Sequence, residues 1–243
     1  MEQQSRKTVQ RVRHELRMRE VSVASIAPSG EHFASITFQG EALADFVSLS
    51  FDDHVKFMFD DGAGNQVRRD YTPRRFNAQS RELTIEFALH GDGAASNWAR
   101  NAQPGDRAII GGPRGSMIIP PDFDWHLLAG DSTALPAMRR RLEELPAQVR
   151  VIVVVLAGDG DRLPFTSAAH AEVHWVDSED ALLERVRACT LPAGEGFAWG
   201  AGEAATMRRL RAVLAEEKGI AKEAMRVSAY WKQGVADHHE NLA

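Results

Sequence analysis

The chain is poor in several features that would narrow its function at once. It contains 243 residues with a single cysteine, Cys189, so no disulfide can form within it and a reducing compartment is indicated. No stretch approaches the roughly 20 apolar residues of a membrane span. The net charge of -5 provides no general attraction to nucleic acid or to an anionic membrane surface. We therefore expect neither as a partner, and any anion-binding site must be local.

The start of the chain also lacks the apolar segment of a secretory signal, although six basic residues precede position 20. Residues 1–18 are predicted to form a solvated arm that leads into the first strand. An amphipathic targeting or membrane-surface helix is the alternative for this segment. Together with the lone cysteine, these features predict a cytoplasmic protein, which we expect to be a monomer.

Short strands separated by turn residues are the pattern of the first half of the chain. The clearest alternation is Leu83, Ile85, Phe87 and Leu89, where every second residue is a large apolar one. Strands are predicted in this half at residues 19–26, 32–38, 54–59, 83–89 and 106–110. Short strands with almost no helix favour an antiparallel barrel, whose closure removes exposed edges.

The pattern changes near Pro120, after which strands alternate with helices. Val151–Val155 is a continuous apolar run, typical of a strand buried on both faces. Strands are predicted at residues 125–130, 149–156, 171–176 and 196–200, and helices at residues 135–145, 180–188 and 203–218. This alternation predicts a parallel sheet that binds ligands at the carboxyl ends of its strands. The predicted organisation is an arm at 1–18, a barrel at 19–120 and an α/β domain with a C-terminal tail at 121–243.

One strand end in the first half carries the parts needed to hold a flavin. Arg69 supplies a cation for phosphate, Tyr71 a ring face for the isoalloxazine and Thr72 a hydroxyl for its edge. Further along, the small residues of Gly93–Ser96 lead into a predicted helix, and Ser96 can either cap this helix or bond phosphate. The first backbone N–H groups of that helix can bind pyrophosphate. The alternative is an arginine and a tyrosine that merely decorate the barrel surface.

Two glycine-containing turns in the second half point to a nucleotide, although no Gly-x-Gly-x-x-Gly follows its first strand. Gly130–Pro136 lies between that strand and its helix, where Ser132 and Thr133 can cap the helix and leave its positive end for a phosphate. Gly200–Glu203 occupies the same kind of turn after a later strand. Helix capping alone explains either turn, but two such turns at one sheet edge favour a nucleotide.

Several motifs together carry a family resemblance that runs from about Arg11 to Trp231. The motifs are Arg69–Arg74, His90–Ala99, Gly112–Ser116, Gly200–Glu203 and Ala229–Lys232. In this order they resemble the siderophore-interacting proteins, which are FAD-dependent ferric-siderophore reductases of the ferredoxin reductase-like type. The resemblance implies a two-domain β + α/β fold: an N-terminal antiparallel Greek-key β-barrel that binds FAD, and a C-terminal parallel-sheet α/β domain that binds NAD(P)H. Ala94 departs from the family, where proline is common, but no hydrogen-bond donor is lost and FAD binding should survive.

The resemblance also assigns roles to the flavin residues. It implies that Tyr71 stacks on the isoalloxazine, that Thr72 bonds near its reactive nitrogen and that Arg69 neutralises phosphate. The other residues that it places beside FAD are Leu89, His90, Ala95 and Ser96. His90 is expected either to bond phosphate or ribose or to serve the structure alone. Gly112–Ser116 is expected to be a barrel-closing turn, with cofactor contact as its alternative.

NADPH or NADH is the electron donor that the resemblance implies. The extra phosphate of NADPH requires cations, for which the candidates are Arg162, Arg208 and Arg209, and we favour NADPH for this reason. The residues expected to bind the nucleotide are Asp131, Ser132, Thr133, Gly200, Gly202 and Glu203.

A bulky, anionic ferric siderophore requires a local cationic pocket on an acidic protein. By resemblance the residues that supply it are Lys56, Arg139 and Arg226, near the flavin edge. Strand alternation places Lys56 opposite to the apolar residues of its own strand. For Arg139 and the two arginines after it, the alternative is a solvated helix face paired with acidic residues of the same helix.

The predicted reaction is electron transfer from NAD(P)H through FAD to an Fe(III)-siderophore, which releases Fe(II) because the reduced ion binds hard oxygen ligands less well. No residue is required as an acid or a base. No protein-bound metal is expected either, because Asp237, His238 and His239 lack further ligands at useful spacing and fit an exposed tail. Trp231 is expected to cover the flavin, to line the chelate pocket or to belong to the core. Two other functions stay open: a ferredoxin or flavodoxin reductase, and a ferric-siderophore carrier that binds without reducing.

Overall fold

Two separate hydrophobic cores divide the chain in a computed structural model that describes residues 7–62, 64–89, 91, 93–235 and 240–242. One unit, the barrel unit, comprises Val12–Met117 with Gly158–Pro164. The other, the α/β unit, comprises Ile118–Ala157 and the chain from Phe165, with the residues before Val12. The predictions for His90, Asp237, His238 and His239 fall outside the described residues.

Short strands make up the first part of the chain, as its alternating sequence predicts. They are β1 (Gln10–Arg13), β2 (Met18–Pro28), β3 (Phe33–Gln39), β4 (Val55–Asp60), β5 (Gln66–Tyr71), β6 (Arg75–Asn77), β7 (Glu82–Ala88), β8 (Arg107–Gly111) and β9 (Gly115–Ile118), with helix α1 (Ala94–Asn101) after β7. Strands β2–β8 form an antiparallel sheet in the order β5-β4-β8-β2-β3-β7-β6, while β1 and β9 form a two-stranded sheet. The segment predicted to be a solvated arm, residues 1–18, therefore contains the strand β1. Its sequence did not predict a strand because β1 has charged residues and only one apolar residue.

The seven-stranded sheet curls so that its two ends approach each other. Tyr71 lies in β5 at one edge, and its ring centroid is 4.4 Å from that of Phe87 in β7, next to the opposite edge. Phe57 of β4 and Trp98 of α1 fill the space beside them, with ring centroids 4.8 Å apart. Aromatic packing thus closes the barrel, and the predicted antiparallel barrel is confirmed.

The α/β unit alternates strands with helices, also as predicted. Its strands are β10 (Trp125–Asp131), β11 (Arg150–Leu156), β12 (His170–Val176), β13 (Gly196–Glu203), β14 (Met225–Trp231) and β15 (Glu240–Asn241), and its helices are α2 (Leu135–Glu144), α3 (Glu179–Ala188) and α4 (Ala204–Ala212). The strand order is β12-β11-β10-β13-β14-β15, in which the first five strands are parallel and β15 is antiparallel. The sheet is therefore mixed at one edge, where a wholly parallel sheet was predicted.

The predicted single helix at 203–218 is divided in the structure. Glu203 is the N-cap of α4, and the α-helix gives way to a π-helical turn at Val213–Glu217. Val213 and Leu214 are both almost fully buried. The wider turn keeps these two consecutive apolar side chains in the core, which a uniform helical periodicity does not anticipate.

The parallel strands β10, β13 and β14 are neighbours in the sheet, so their carboxyl ends meet at one edge. The last residues of these strands are Asp131, Glu203 and Trp231. We refer to these three residues and the turns that follow β10 and β13 as the carboxyl edge.

Two kinds of feature are absent from the residues that the structure describes. Within these ranges no helix combines the length and the apolar character that crossing a bilayer requires. The same ranges hold no group of three or more histidine, cysteine, aspartate or glutamate side chains arranged for a metal ion. Cys189 is a buried free thiol, and burial raises its pKa, so it stays protonated at neutral pH.

A buried carboxylate fixes the turn at Gly112–Ser116. The Ser116 hydroxyl donates to Oδ2 of Asp53 (2.7 Å), a residue that is 3% exposed. The same hydroxyl oxygen accepts the backbone N–H of Leu49 (3.2 Å) and lies 2.8 Å from Nε2 of His14. Because its hydrogen is committed to Asp53 and its oxygen to two donors, Ser116 is engaged with the protein, in keeping with a barrel-closing turn.

Ser116→Ala should therefore destabilise the barrel unit by about 1.5–3 kcal/mol, the usual cost of losing a buried hydrogen bond to a charged group. Thermal and urea unfolding would measure the change. Ser80→Ala is the matched control, because the Ser80 hydroxyl bonds Glu82 in an exposed turn. If Ser116→Ala released FAD while unfolding like the control, the turn would instead be a cofactor contact.

Candidate functional site

The register of β5 decides which of its side chains face the barrel interior. Arg69 pairs with Phe57 and Tyr71 with Val55, and both partners are fully buried, so Arg69 and Tyr71 share the inner face. The Tyr71 ring packs edge-on against Phe57, with centroids 5.9 Å apart. Burial raises the pKa of the Tyr71 hydroxyl, which therefore stays neutral at physiological pH.

Arg69 places a positive charge next to this aromatic ring. Its guanidinium donates to the backbone carbonyl of Arg68 (2.7 Å), and among the described residues it forms no ion pair with a carboxylate. Arg68 itself points to the other face of the strand and bonds the side chain of Gln66 (2.9 Å). An uncompensated guanidinium beside a ring suits a ligand that carries phosphate.

The residues that follow β5 differ in what they can do. Thr72 is 8% exposed, and its hydroxyl makes no hydrogen bond to any residue that the structure describes. The hydroxyl is therefore available to a polar group of a ligand. Arg74, which the sequence analysis did not single out, instead forms a buried ion pair with Glu86 (Nε–Oε1 3.5 Å) and supports the fold.

Helix α1 begins without a side-chain cap. Its N-cap is Gly93, and the hydroxyl of Ser96 donates to the carbonyl of Ala88 (3.0 Å). The predicted capping role of Ser96 is therefore wrong, because its hydroxyl turns back to β7. Ala95 packs in the barrel core. A glycine N-cap supplies no side-chain acceptor of its own, and backbone N–H groups at a helix start can bind an anion.

Arg100 holds the loop between β7 and α1, a role that sequence reasoning missed. It donates to the carbonyls of Leu89 (2.6 Å) and Gly91 (3.0 Å) and to the side chain of Asn97 (2.9 Å). The backbone N–H of Leu89 donates in turn to His32 (2.7 Å). The segment beside the predicted cofactor site is thus fixed from both sides. No local pattern predicts this role, because the carbonyls that Arg100 bonds precede the helix.

A second cluster forms at the carboxyl edge of the α/β unit around Asp131. Its Oδ1 accepts the backbone N–H and the hydroxyl of Thr133, while its Oδ2 accepts the backbone N–H of Glu203 (2.8 Å) and the indole N–H of Trp231 (2.9 Å). Burial raises the pKa of Asp131, and these hydrogen bonds act in the opposite direction. The link between Asp131 and Trp231 spans 100 positions and leaves no local sequence signal.

Carboxylates occupy both helix starts at this edge. Asp131 caps the short 3₁₀ turn Ser132–Ala134 that precedes α2, and Glu203 caps α4 by accepting the backbone N–H groups of Ala205 and Thr206. The prediction that Ser132 and Thr133 cap the first helix is therefore wrong, because an aspartate immediately before them has the longer reach. The phosphate position expected at these turns stays a prediction.

The glycines of the two turns are required by close packing. A Cβ at position 202 would lie 2.5 Å from Oδ2 of Asp131, and one at position 130 would lie 2.1 Å from the carbonyl oxygen of Ala201. Gly202 therefore leaves room for the Asp131 carboxylate. Gly200 is buried beneath α4, where a Cβ would lie 2.7 Å from a Leu210 methyl group, so its surroundings indicate packing rather than cofactor contact.

The predicted substrate cations occupy dissimilar environments. Lys56 lies on the outer face of β4 in an ion pair with Asp70 (2.9 Å), with 41% of its side chain exposed. Arg139 is 8% exposed on α2, and the two arginines after it are buried as well, so the solvated helix face is wrong. Arg226 lies at the amino end of β14, about 16 Å of strand away from Trp231, and not at the carboxyl edge.

The candidates for the extra phosphate of NADPH all have acidic neighbours. Arg162 pairs with Asp159 (3.0 Å) in the barrel unit. On α4, Arg208 pairs with Glu240 (3.1 Å) and Arg209 with Asp180 (2.5 Å), and the side chains of both arginines are half exposed.

The barrel-unit residues fit FAD on several independent features. They offer an Arg69 guanidinium that has no carboxylate partner among the described residues, a partly buried neutral ring in Tyr71, the hydroxyl of Thr72, and a helix whose N-cap is the glycine Gly93. These are the groups that a flavin, its phosphates and its ring edge would engage.

Comparison with known proteins identifies related chains over nearly the whole length. The profile of the siderophore-interacting protein family matches residues 123–234, and that of the siderophore-interacting FAD-binding domain matches residues 60–117. The NADPH-dependent ferric-chelate reductase of Escherichia coli strain K12 is 34% identical over 91% of this chain and 96% of its own. The ferric vibriobactin reductase ViuB of Vibrio cholerae is 30% identical over 82% of this chain and 83% of its own.

Among solved structures, a siderophore utilization protein from T. fusca superposes with a TM-score of 0.87 at 31% identity, covering 96% of this chain and 98% of that one. These matches confirm the predicted fold class, the FAD-binding domain and the class of redox reaction. With its motifs, its two units and its relatives in agreement, the chain belongs to the siderophore-interacting protein family.

Proposed function

We propose that this protein is an FAD-dependent reductase that takes electrons from NADPH and reduces ferric chelates, Fe(III)-siderophores in particular, to release Fe(II) for iron acquisition. The observation that carries the proposal is the inner face of β5, where the uncompensated Arg69 lies beside the neutral ring of Tyr71. The relatives named for ferric-chelate and ferric vibriobactin reduction support the substrate class. One NADPH supplies electrons for two ferric ions and leaves NADP+ and one proton.

Each barrel-unit residue has a binding role in this proposal. Arg69 neutralises a phosphate, Tyr71 presents its ring to the isoalloxazine, and Thr72 bonds the polar ring edge. The start of α1, whose N-cap is Gly93, binds pyrophosphate through backbone N–H groups, and Arg100 keeps the preceding loop in place. When bound, FAD supplies the conversion of a two-electron donation into single-electron transfers, which amino-acid side chains cannot provide.

The chelate is recognised by charge. Lys56 is the best-placed of the three predicted cations, because its side chain is partly exposed on the outer face of β4. The roles of Arg139 and Arg226 stay predictions. We place the reaction in the cytoplasm, as the lone cysteine and the nicotinamide donor suggest.

Arg69→Ala should weaken FAD binding by about tenfold or more, because a charge-assisted bond to phosphate is lost. Equilibrium titration of the apoprotein with FAD, together with the FAD content after purification, would measure the loss. Arg68→Ala is the matched control, since this neighbouring arginine faces the other side of the same strand. Equal effects of the two substitutions would contradict the assignment of the inner face to FAD.

Lys56→Ala should raise KM for an anionic ferric chelate about two- to fivefold at low ionic strength, the scale of a partly exposed charge pair. Asp70→Asn should lower KM, because it removes the carboxylate that competes with the chelate for Lys56. A neutral ferric chelate serves as the control substrate and should respond to neither change. If the protein reduced ferredoxin or flavodoxin but no ferric chelate, it would instead be a reductase of electron-transfer proteins.

NADPH should reduce the bound flavin faster than NADH at equal low concentration. Arg208→Ala and Arg209→Ala should narrow this preference and leave the NADH rate unchanged, if either arginine meets the extra phosphate. Anaerobic stopped-flow absorbance of the flavin would provide the rates. A clear preference of the unaltered protein for NADH would refute the choice of donor.

A further inference from the structure

Strand β12 forms one edge of the α/β sheet, and no other strand of the described residues lies along its outer side. The opposite edge differs, because the short antiparallel β15 lies along β14 there. Every residue of β12 is partly or fully exposed, whereas the neighbouring β11 is mostly buried. An exposed and unpaired edge is a surface that can accept another strand.

Alternate backbone groups of β12 point away from the sheet. The backbone N–H of His170 donates to the carbonyl of Val149 (3.0 Å), and the carbonyl of Val176 accepts the N–H of Ala157 (3.3 Å), so both residues of β12 turn toward β11. The pairing with β11 has no bulge, and every second residue of β12 therefore turns its N–H and C=O groups outward. The outward residues are Ala171, Val173 and Trp175, whose backbone groups bond no described residue on this side.

The side chains of β12 are complementary to their own sequence read backwards from Val173. Glu172 and His174 flank this residue on one face of the strand, and 63% of the Glu172 side chain is exposed. An antiparallel second copy centred on Val173 sets Glu172 opposite the copy's His174, and Ala171 opposite the copy's Trp175. The first pair joins a carboxylate to an imidazole, and the second joins a small side chain to a large ring.

The neighbouring registers lack this complementarity. Centring the pair on Glu172 would set that carboxylate against its own copy, and centring it on His174 would set two imidazoles together. Like groups directly opposite each other destabilise a strand pair. In the register centred on Val173, the outward backbone groups meet as three hydrogen-bonded residue pairs with about two bonds each.

We propose that the protein forms a two-fold symmetric homodimer in which the β12 strands of two copies pair antiparallel around Val173 and join their α/β sheets. The interface is isologous, because each copy contributes the same strand. This dimer replaces the monomer expected from the sequence. The inference goes beyond the proposed function and does not depend on it, because β12 contains none of the residues assigned to the flavin, the nucleotide or the chelate.

The direct test is sedimentation velocity of the FAD-loaded protein over a series of protein concentrations. A small interface made by one strand pair should give a dissociation constant of about 10–100 μM, so the average mass should rise from one chain toward two. Val173→Lys should abolish this rise, because it sets two lysines against each other at the two-fold axis. Val173→Thr keeps a β-branched side chain at the axis and is the matched control.

Charge reversal tests the register. Glu172→Lys sets a lysine opposite a histidine, and His174→Glu sets two carboxylates together, so each variant alone should lose about tenfold in dimer affinity. An equal mixture of the two variants should form a heterodimer, because the introduced lysine then faces the introduced glutamate and the remaining histidine faces the remaining glutamate. Glu216→Lys reverses an exposed charge in the turn after α4 and should leave dimer affinity unchanged.

A mass of one chain at a protein concentration of about 0.5 mM would overturn the proposal. A dimer that persists in Val173→Lys, or a mixture of the two charge-reversed variants that fails to associate, would overturn it as well. Thermal unfolding and FAD content verify that each variant is folded. These outcomes are separate from a failure of the proposed function, because the mass is measured without nicotinamide nucleotide or ferric chelate.

Discussion

The buried carboxylate of Asp131 organises the carboxyl edge of the α/β unit. Asp131 is the last residue of β10, and its carboxylate accepts hydrogen bonds from Thr133 in the turn that follows. It also accepts the backbone N–H of Glu203, the last residue of β13, and the indole N–H of Trp231. Burial makes the ionised form of Asp131 less stable and so raises the pKa of its carboxyl group. The four hydrogen-bond donors around its two oxygens offset part of this effect. Gly202 is constrained by the same group, because a side chain there would collide with the carboxylate.

The candidate sites of the two units carry charges of opposite sign. In the barrel unit, Arg69 lacks an acidic partner among the described residues and Gly93 begins α1 without a capping side chain. Both features attract phosphate. In the α/β unit, Asp131 and Glu203 occupy the helix starts and an aromatic ring lies beside them.

Features that depend on interactions between residues close in the sequence could be predicted, and features that depend on residues distant in the sequence could not. The alternation that includes Phe87 shows a strand with one buried face, and the run from Val151 to Val155 shows a strand buried on both faces. Because such patterns of burial are local in the sequence, the barrel and the α/β sheet could be predicted. The capping at Asp131 could not, because serine, threonine and aspartate stand side by side and tertiary packing selects among them. Arg139 was equally ambiguous: an arginine on a helix is usually solvated, and its burial depends on residues distant in sequence.

Strand geometry decides which of the two adjacent arginines in β5 faces the barrel interior. Arg68 and Arg69 are adjacent and chemically identical, yet the period of two sends Arg69 to the inner face with Tyr71 and Arg68 to the outer face. Asp70 follows the outer pattern, where it pairs with Lys56. The acidic residue of this segment is thereby kept on the side opposite to Arg69. Charge is thus separated between the two faces of one strand, with the Arg69 guanidinium on the inner face and the Lys56–Asp70 ion pair on the outer face.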